Sequence, residues 1–298
     1  MKLNALQALV AAIDEGSLRG AARRLGVSQP ALTKMVRELE RELAATLLAR
    51  SSTGVTATEQ GLVLYERAKP MLRELDVAVD QIGQLGGKMT GELNIAAVPL
   101  AVVSLVPEAI RSYSRLFPEI HLRVNELLYT AQLALLRKGD VDMAIGPVPP
   151  GLPPGEFLVE PLIPVDMVVV ARQGSPWARS RSLTALAQAR WVYTSVVNDG
   201  GYVRHLYEAK GLAAPRPGAV VNSTLGLLSL IVNLDYVGLM PLPMARHPSM
   251  APHLAVVPLA EGPLHLDIGL MLKPQTALRP AVREFTRHLL RAAHHYDL

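Results

Sequence analysis

The chain has 298 residues, half of them hydrophobic, a formal net charge of +4 and no cysteine. That length exceeds one small domain and suits two or three, each able to bury a core. The lack of cysteine excludes disulfides, thiolate nucleophiles and cysteine metal sites and fits a reducing cytoplasm. A mild positive charge does not by itself show nucleic-acid binding, although most of the excess falls in residues 1–58.

Leu3, Leu6, Val10 and Ile13 recur at helical spacing, and Asn4 and Gln7 interrupt the apolar run. The first stretch therefore reads as an amphipathic helix and not a leader peptide. No apolar run approaches membrane-spanning length, so no membrane partner is expected. Residues 17–43, SLRGAARRLGVSQPALTKMVRELEREL, read as two helices around a tight turn. Leu18, Ala21, Ala22 and Leu25 give the first an apolar stripe, and Gly26 supplies the turn. Ser28 caps the second, with Pro30 in its first turn. Leu32, Val36, Leu39 and Leu43 bury one face of that second helix. Gln29, Pro30, Thr33, Lys34 and Arg37 share its exposed front half. Gln pairs with adenine, Arg or Lys with guanine, and Thr bonds a base edge or touches a thymine methyl. A helix-turn-helix inserts this end of its second helix into the major groove. An ordinary solvated helix pair is the plainer alternative.

Leu47–Arg50 and Val55–Thr58 lean towards strand around a polar tip at 51–54. This predicts a hairpin wing with Arg50 and Thr53 placed to reach the sugar-phosphate backbone. Leu3 through Ile13, Gly16-Ser17-Leu18, Ala21-Ala22, Leu25, Ser28 through Leu32, Leu39-Glu40, Leu47-Leu48, Arg50 and Thr58 through Gly61 together carry a resemblance. Residues 1–61 resemble the winged helix-turn-helix of LysR-type transcriptional regulators. The resemblance implies double-stranded operator DNA as a partner. The DNA-binding set is then Ser17, Ser28, Gln29, Pro30, Thr33, Lys34, Arg37, Arg50 and Thr53. Three positions depart from the family pattern: Leu48 where Phe is usual, Thr53 where a basic residue is common, and Ala57 where Leu is common. The second departure removes a phosphate contact from the wing.

Residues 59–86 read as one long helix. Tyr65, Ala68, Leu72, Leu75, Val79 and Ile82 form a heptad seam that favours pairing with a second helix, and Pro70 predicts a bend. Gly83, Gly86 and Gly87 end it. From Glu92 the pattern becomes βαβ and predicts a mostly parallel sheet. Strands are expected at Leu93–Ala97, His121–Glu126 and Met143–Gly146, with helices at 101–116 and 131–138. A second series follows, with strands at Asp166–Ala171, Trp191–Thr194, Val220–Asn222 and Val237–Met240 and helices near 182–189, 200–210 and 224–233. Leu266–Leu272 and a helix at 279–294 close the chain.

The same resemblance extends through LLRKGDVDMAI at 135–145, EPLIPVDMVVVARQGSPWA at 160–178 and VGLMP at 237–241. It implies an α/β chain in three parts. These are a winged helix-turn-helix (1–58), a linker and dimerisation helix (59–89), and a two-lobed effector domain of periplasmic-binding-protein type (90–298). Lobe I is expected at 90–163 plus 268–298 and lobe II at 164–267. Ligands bind beyond strand carboxyl ends in such sheets. That places the effector at Val98, Pro99, Leu100, Ala101, Tyr129, Thr130, Asn198, Gly200, Gly201, Ser223 and Thr224. Free N–H groups at helix starts favour a carboxylate. Many relatives carry a hydroxyl in the first of these turns, whereas Val98-Pro99-Leu100 has none, so an apolar wall is expected there.

There is no G-x-S-x-G, H-E-x-x-H or G-x-G-x-x-G, and no enzymatic activity, metal or cofactor is expected. His288, His294 and His295 read as a solvated end, Asp140 and Asp142 as solvated turn charges, and Trp177 and Trp191 as packing residues. The reading is a bacterial, cytoplasmic, LysR-type DNA-binding regulator controlled by a small organic effector, foremost a carboxylate. The resemblance adds a homodimer through the linker helix, a homotetramer, and RNA polymerase as a further partner. The alternatives are an exported solute-binding protein with a helical head and an enzyme with a DNA-binding head. The amphipathic N-terminus and the missing catalytic constellations weigh against them.

Overall fold

Chain contacts divide the protein into Met1–Lys88 and Met89–Leu298. The structure, a computed structural model, describes residues 1–51, 54–194 and 201–296, without the side chains of residues 50, 51, 129 and 130.

The first unit opens with three helices, α1 (Leu3–Asp14), α2 (Leu18–Arg24) and α3 (Gln29–Glu42). Ala8, Ala12 and Ala21 are fully buried beside Leu9, Leu32 and Leu39. Such small side chains let the three helices close tightly around a few leucines. Gly26 takes a φ of +65° in the turn between α2 and α3, a region open to glycine at little steric cost. Leu25 and Leu43, expected within the apolar stripes, are 36% and 41% exposed. Each is the C-cap of its helix, where the chain leaves the stripe's direction. The wing is an antiparallel hairpin of β1 (Leu48–Ser51) and β2 (Gly54–Ala57).

A 27-residue helix, α4 (Glu59–Leu85), follows, with Thr58 as its side-chain cap. Its first turn lies directly on the wing, where a Cβ on Gly61 would stand 1.9 Å from the Leu47 carbonyl oxygen. The heptad seam divides along this helix. Ala68 is buried, and Tyr65 and Leu72 pack on the core of the first unit. Leu75, Val79 and Ile82 are 44%, 70% and 72% exposed. Only the second half of the expected seam is thus available for pairing, because the first half closes the core of its own unit.

The second unit begins with β3 (Gly91–Ala97), α5 (Pro99–Val103), α6 (Leu105–Leu116), β4 (Ile120–Glu126), α7 (Tyr129–Lys138) and β5 (Met143–Pro147). Next come β6 (Leu158–Arg172), α8 (Leu183–Leu186), β7 (Trp191–Thr194), α9 (Gly201–Glu208), β8 (Pro217–Val221) and α10 (Thr224–Leu234). It closes with β9 (Gly238–Pro241), α11 (Leu242–Ala245), β10 (Leu254–Val256), β11 (Leu264–Leu272) and α12 (Pro280–His294). The single helix expected at 101–116 starts earlier and breaks at Ser104. Pro107, in the first turn of α6, has no N–H to continue the ladder from Val103.

Pairing is parallel between β3 and β4, β3 and β5, and β7 and β8, as the βαβ rhythm predicts. The sheet as a whole is nevertheless mixed and not mostly parallel. β6 and β11 run antiparallel to each other, and to β9, β10 and β5. These two strands connect the two βαβ series without a crossover helix, so they enter the sheet in the opposite sense. β6 is fifteen residues long, well beyond the expected 166–171. Pro161 and Pro164 disguise its first half, yet both lie in register with β11. The main sheet has the order β10-β6-β11-β5-β3-β4 with β9 paired to β6, and β7 and β8 form a two-stranded sheet of their own.

Two expected surface features are buried. Asp142 is 5% exposed, accepts from the Asn94 N–H at 2.7 Å and pairs with Arg279 at 2.5 Å. Arg279 is 2% exposed and also donates to the Glu92 carbonyl at 3.2 Å. Asp142 is therefore not a solvated turn charge; it ties β3 to the start of α12. His288, 6% exposed, is not part of a solvated end either, because its Nδ1 shares a 2.7 Å hydrogen bond with Ser112 on α6. Trp191 is fully buried and donates its indole N–H to the Leu186 carbonyl. Among the described residues no helix is long and apolar enough to cross a membrane.

Candidate nucleic-acid interface and ligand cavity

In the first unit, Gln29, Pro30, Lys34 and Arg37 are exposed on α3 and Thr33 is half-buried between them. With Arg41 they line one shallow groove of about 480 Å³ on the side away from the buried stripe. Ser17 and Ser28 stand differently. Their hydroxyl oxygens accept from the Gly20 N–H at 2.9 Å and the Ala31 N–H at 3.3 Å, so both act as N-caps. Lys34 lies 3.9 Å from Glu38, an exposed pair of small energetic weight. The Arg50 backbone lies in β1, its side chain is not described, and Thr53 falls outside the described residues.

α4 is tied to the ends of α1 and α2 through Asp14. Its carboxylate accepts from the Tyr65 hydroxyl at 2.5 Å, Lys69 at 2.9 Å and Arg24 at 3.3 Å. Burial pushes the Asp14 carboxyl up, but the Tyr65 and Lys69 hydrogen bonds outweigh it and hold the group below its usual range.

In the second unit the parallel pairing brings the carboxyl ends of β3, β4 and β5 to one edge. Val98 continues β3 by donating to the Ile145 carbonyl, and Leu127 donates to the Ala97 carbonyl. The starts of α5 and α7 therefore sit together, next to Pro147. Beside them lies a cavity of about 250 Å³. Val98, Pro99, Leu100, Leu128 and Pro147 form one wall. Val165 and Met167 of β6 and Leu266 and Ile268 of β11 form the floor. Residues two apart on a strand share a face, so each pair projects the same way. Leu227 of α10 and Leu239, Met240, Pro241 and Met244 around β9 and α11 add apolar surface. Polar groups gather at Thr194, Gly201, Tyr202, His205 and Thr224, where β7 ends and α9 and α10 begin.

Of the effector positions read from the sequence, Val98, Pro99, Leu100, Gly201 and Thr224 line this cavity. Ala101 does not; it is fully buried in the core behind α5. Ser223 caps α10 by accepting from the Gly226 N–H at 3.0 Å. Tyr129 and Thr130 begin α7 with side chains outside the description, and Leu128 just before them lines the cavity. Asn198 and Gly200 lie outside the described residues. The floor was missed by sequence reasoning. Its signal is local alternation, Val165-Asp166-Met167 and Leu266-Asp267-Ile268, in two strands that meet only after folding.

Comparison with known proteins identifies a family for both units. Residues 3–62 match the family model described as the bacterial regulatory helix-turn-helix protein, lysR family. Residues 86–294 match the LysR substrate binding domain. The chain is 28% identical to the HTH-type transcriptional regulator GalR of Pseudomonas putida, over 93% of this chain and 70% of that protein. It is 33% identical to a hydrogen peroxide-inducible genes activator of Pectobacterium carotovorum, over 68% of this chain and 67% of that one. Among solved structures, the LysR family transcriptional regulator CbnR shares the fold, with a TM-score of 0.71 and 20% identity over 98% of this chain and 99% of that chain. Full-length OxyR C199D of Pseudomonas aeruginosa does so too, with a TM-score of 0.69 and 20% identity over 99% and 95%. A helix-turn-helix head and a cavity-bearing domain, each matched by its own family model, make this chain a member of the LysR family of DNA-binding transcriptional regulators.

Proposed function

We propose that this regulator answers to a small organic carboxylate held in the cavity of the second unit. The observation that carries the reading is the distribution of polarity around that cavity. Its polar groups cluster where α9 and α10 begin, and the remaining described lining is apolar. Free N–H groups in the first turn of a helix attract an anion, while the Val98-Pro99-Leu100 wall and the β6–β11 floor suit an apolar body. At about 250 Å³ the space falls just below the roughly 300 Å³ at which drug-sized pockets begin, which favours a compact aliphatic or single-ring acid. The two lobes, expected at 90–163 plus 268–298 and at 164–267, would then close around it.

The first unit binds operator DNA in this account through 1–58, with Gln29, Pro30, Thr33, Lys34 and Arg37 entering the major groove. Residues 59–89 pair two copies through Leu75, Val79 and Ile82, the exposed half of the α4 seam. Higher assembly to a tetramer and contact with RNA polymerase belong to the same proposal. Ligand acts through its differential affinity for two arrangements of the protein.

The test is calorimetric titration of the full chain with a panel of aliphatic and aromatic carboxylates and their amides. One acid should bind and its neutral amide should bind far more weakly. Thr224→Val should weaken the acid selectively. Equal binding of acid and amide would remove the carboxylate from the proposal, and binding of none would remove the cavity.

A further inference from the structure

α3 carries three carboxylates and three basic side chains, and the structure separates the engaged from the free. Glu38 stands beside Lys34 at 3.9 Å. Glu40 turns back and accepts from the Leu47 and Leu48 N–H groups at 2.9 and 3.2 Å. Glu42 pairs with the N-terminal ammonium. Arg37 and Arg41 are exposed and have no ion-pair partner among the described residues. At about 100° per residue, Arg41 sits roughly 20° round the helix from Pro30 and 40° from Arg37, opposite the buried Leu32, Val36 and Leu39. It also stands about 6 Å further along the axis than Arg37. The groove that holds Gln29, Pro30, Thr33, Lys34 and Arg37 accordingly continues to Arg41.

We propose that Arg41 is a phosphate-anchoring residue of the DNA interface, clamping the backbone behind the base-reading front of α3. This rests on the reading that α3 enters the major groove. Bases are read by the first half of such a helix, and residues near its end meet the sugar-phosphate backbone. A guanidinium without a carboxylate neighbour can offer its full charge and its paired N–H groups to a phosphate. Lys34, a point charge with Glu38 beside it, is less suited to that role.

The experiment measures binding of the full chain to operator and to random duplex across a salt series. Arg41→Ala should weaken both by the same factor and reduce the slope of log affinity against log salt by about 0.9 per bound subunit. Arg41→Lys should keep the slope, because a point charge still neutralises a phosphate. An unchanged slope in Arg41→Ala overturns the proposal, and so does a loss confined to operator. Thermal melts of both variants should match the parent, since Arg41 is exposed. Gln29→Ala in the same assay tests the reading beneath it. Loss on operator alone keeps α3 in the groove whatever Arg41 does, whereas a parent chain that prefers no sequence overturns both.

Discussion

The two units use their residues in opposite ways. The first faces outward: the side chains proposed to meet DNA stand on the exposed face of one fourteen-residue helix, and its core is a set of mainly alanines and leucines that holds the helix in place. The second reads inward: its cavity is walled by apolar side chains from separate strands and helices, so the same residues serve packing and site. A surface site can therefore lose a residue without harm to the fold, whereas a change in the second unit acts on stability and binding together.

The largest effect that would sharpen this contrast is Asp142→Asn. It leaves the Arg279 guanidinium buried without a countercharge, a loss of about 3–5 kcal/mol. Urea unfolding should show the second unit weakened and the first unchanged; a common transition moved as one would break the contrast. Next is Gly61→Ala, which drives a Cβ into the Leu47 carbonyl. The first unit should lose about 1–3 kcal/mol or more, with ligand binding in the second left intact. Gln29→Ala, by comparison, should leave both melts in place and reduce discrimination between operator and random DNA by about 1–3 kcal/mol.

The smallest effect is one of pH. Burial, with Arg291 adding repulsion and Glu284 partly opposing it, holds the His288 imidazole below its ordinary 6.5. The folded state therefore keeps it neutral while the unfolded chain protonates. Stability from this group is complete above pH 6.5 and is lost as pH falls through the lowered value. The first unit's counterpart, Asp14, gives stability that is present above 3.8 and lost only at more acid pH. Acid titration followed by circular dichroism should find that His288→Gln flattens the early part of the profile and Asp14→Asn only the later part.

How much of this was legible in the sequence follows from how local each feature is. The α3 face appears within fourteen consecutive residues as one helical period, so Gln29 to Arg37 could be read directly. Arg41 continues the period but is flanked by Glu40 and Glu42, and only the fold shows where those carboxylates go. The turns before α5 and α10 could be found because helix starts carry their own signals. The floor could not, because Val165 and Leu266 meet across β6 and β11 and neither has a chemically distinctive side chain. Asp142 and Arg279 lie 137 positions apart, and no local pattern marks them as partners. The α4 seam was visible in full, yet periodicity does not say that its first half faces α1.

The most direct test of the account is footprinting of the chain's own upstream region, with and without the carboxylate panel. It would use the parent and a variant with the cavity filled by Leu227→Trp. The account predicts a two-part protected region whose extent or internal cleavage changes with one acid in the parent and not in the variant. Protection that no acid alters, or that changes equally in the filled variant, would contradict the claim that the cavity of the second unit governs what the first does on DNA.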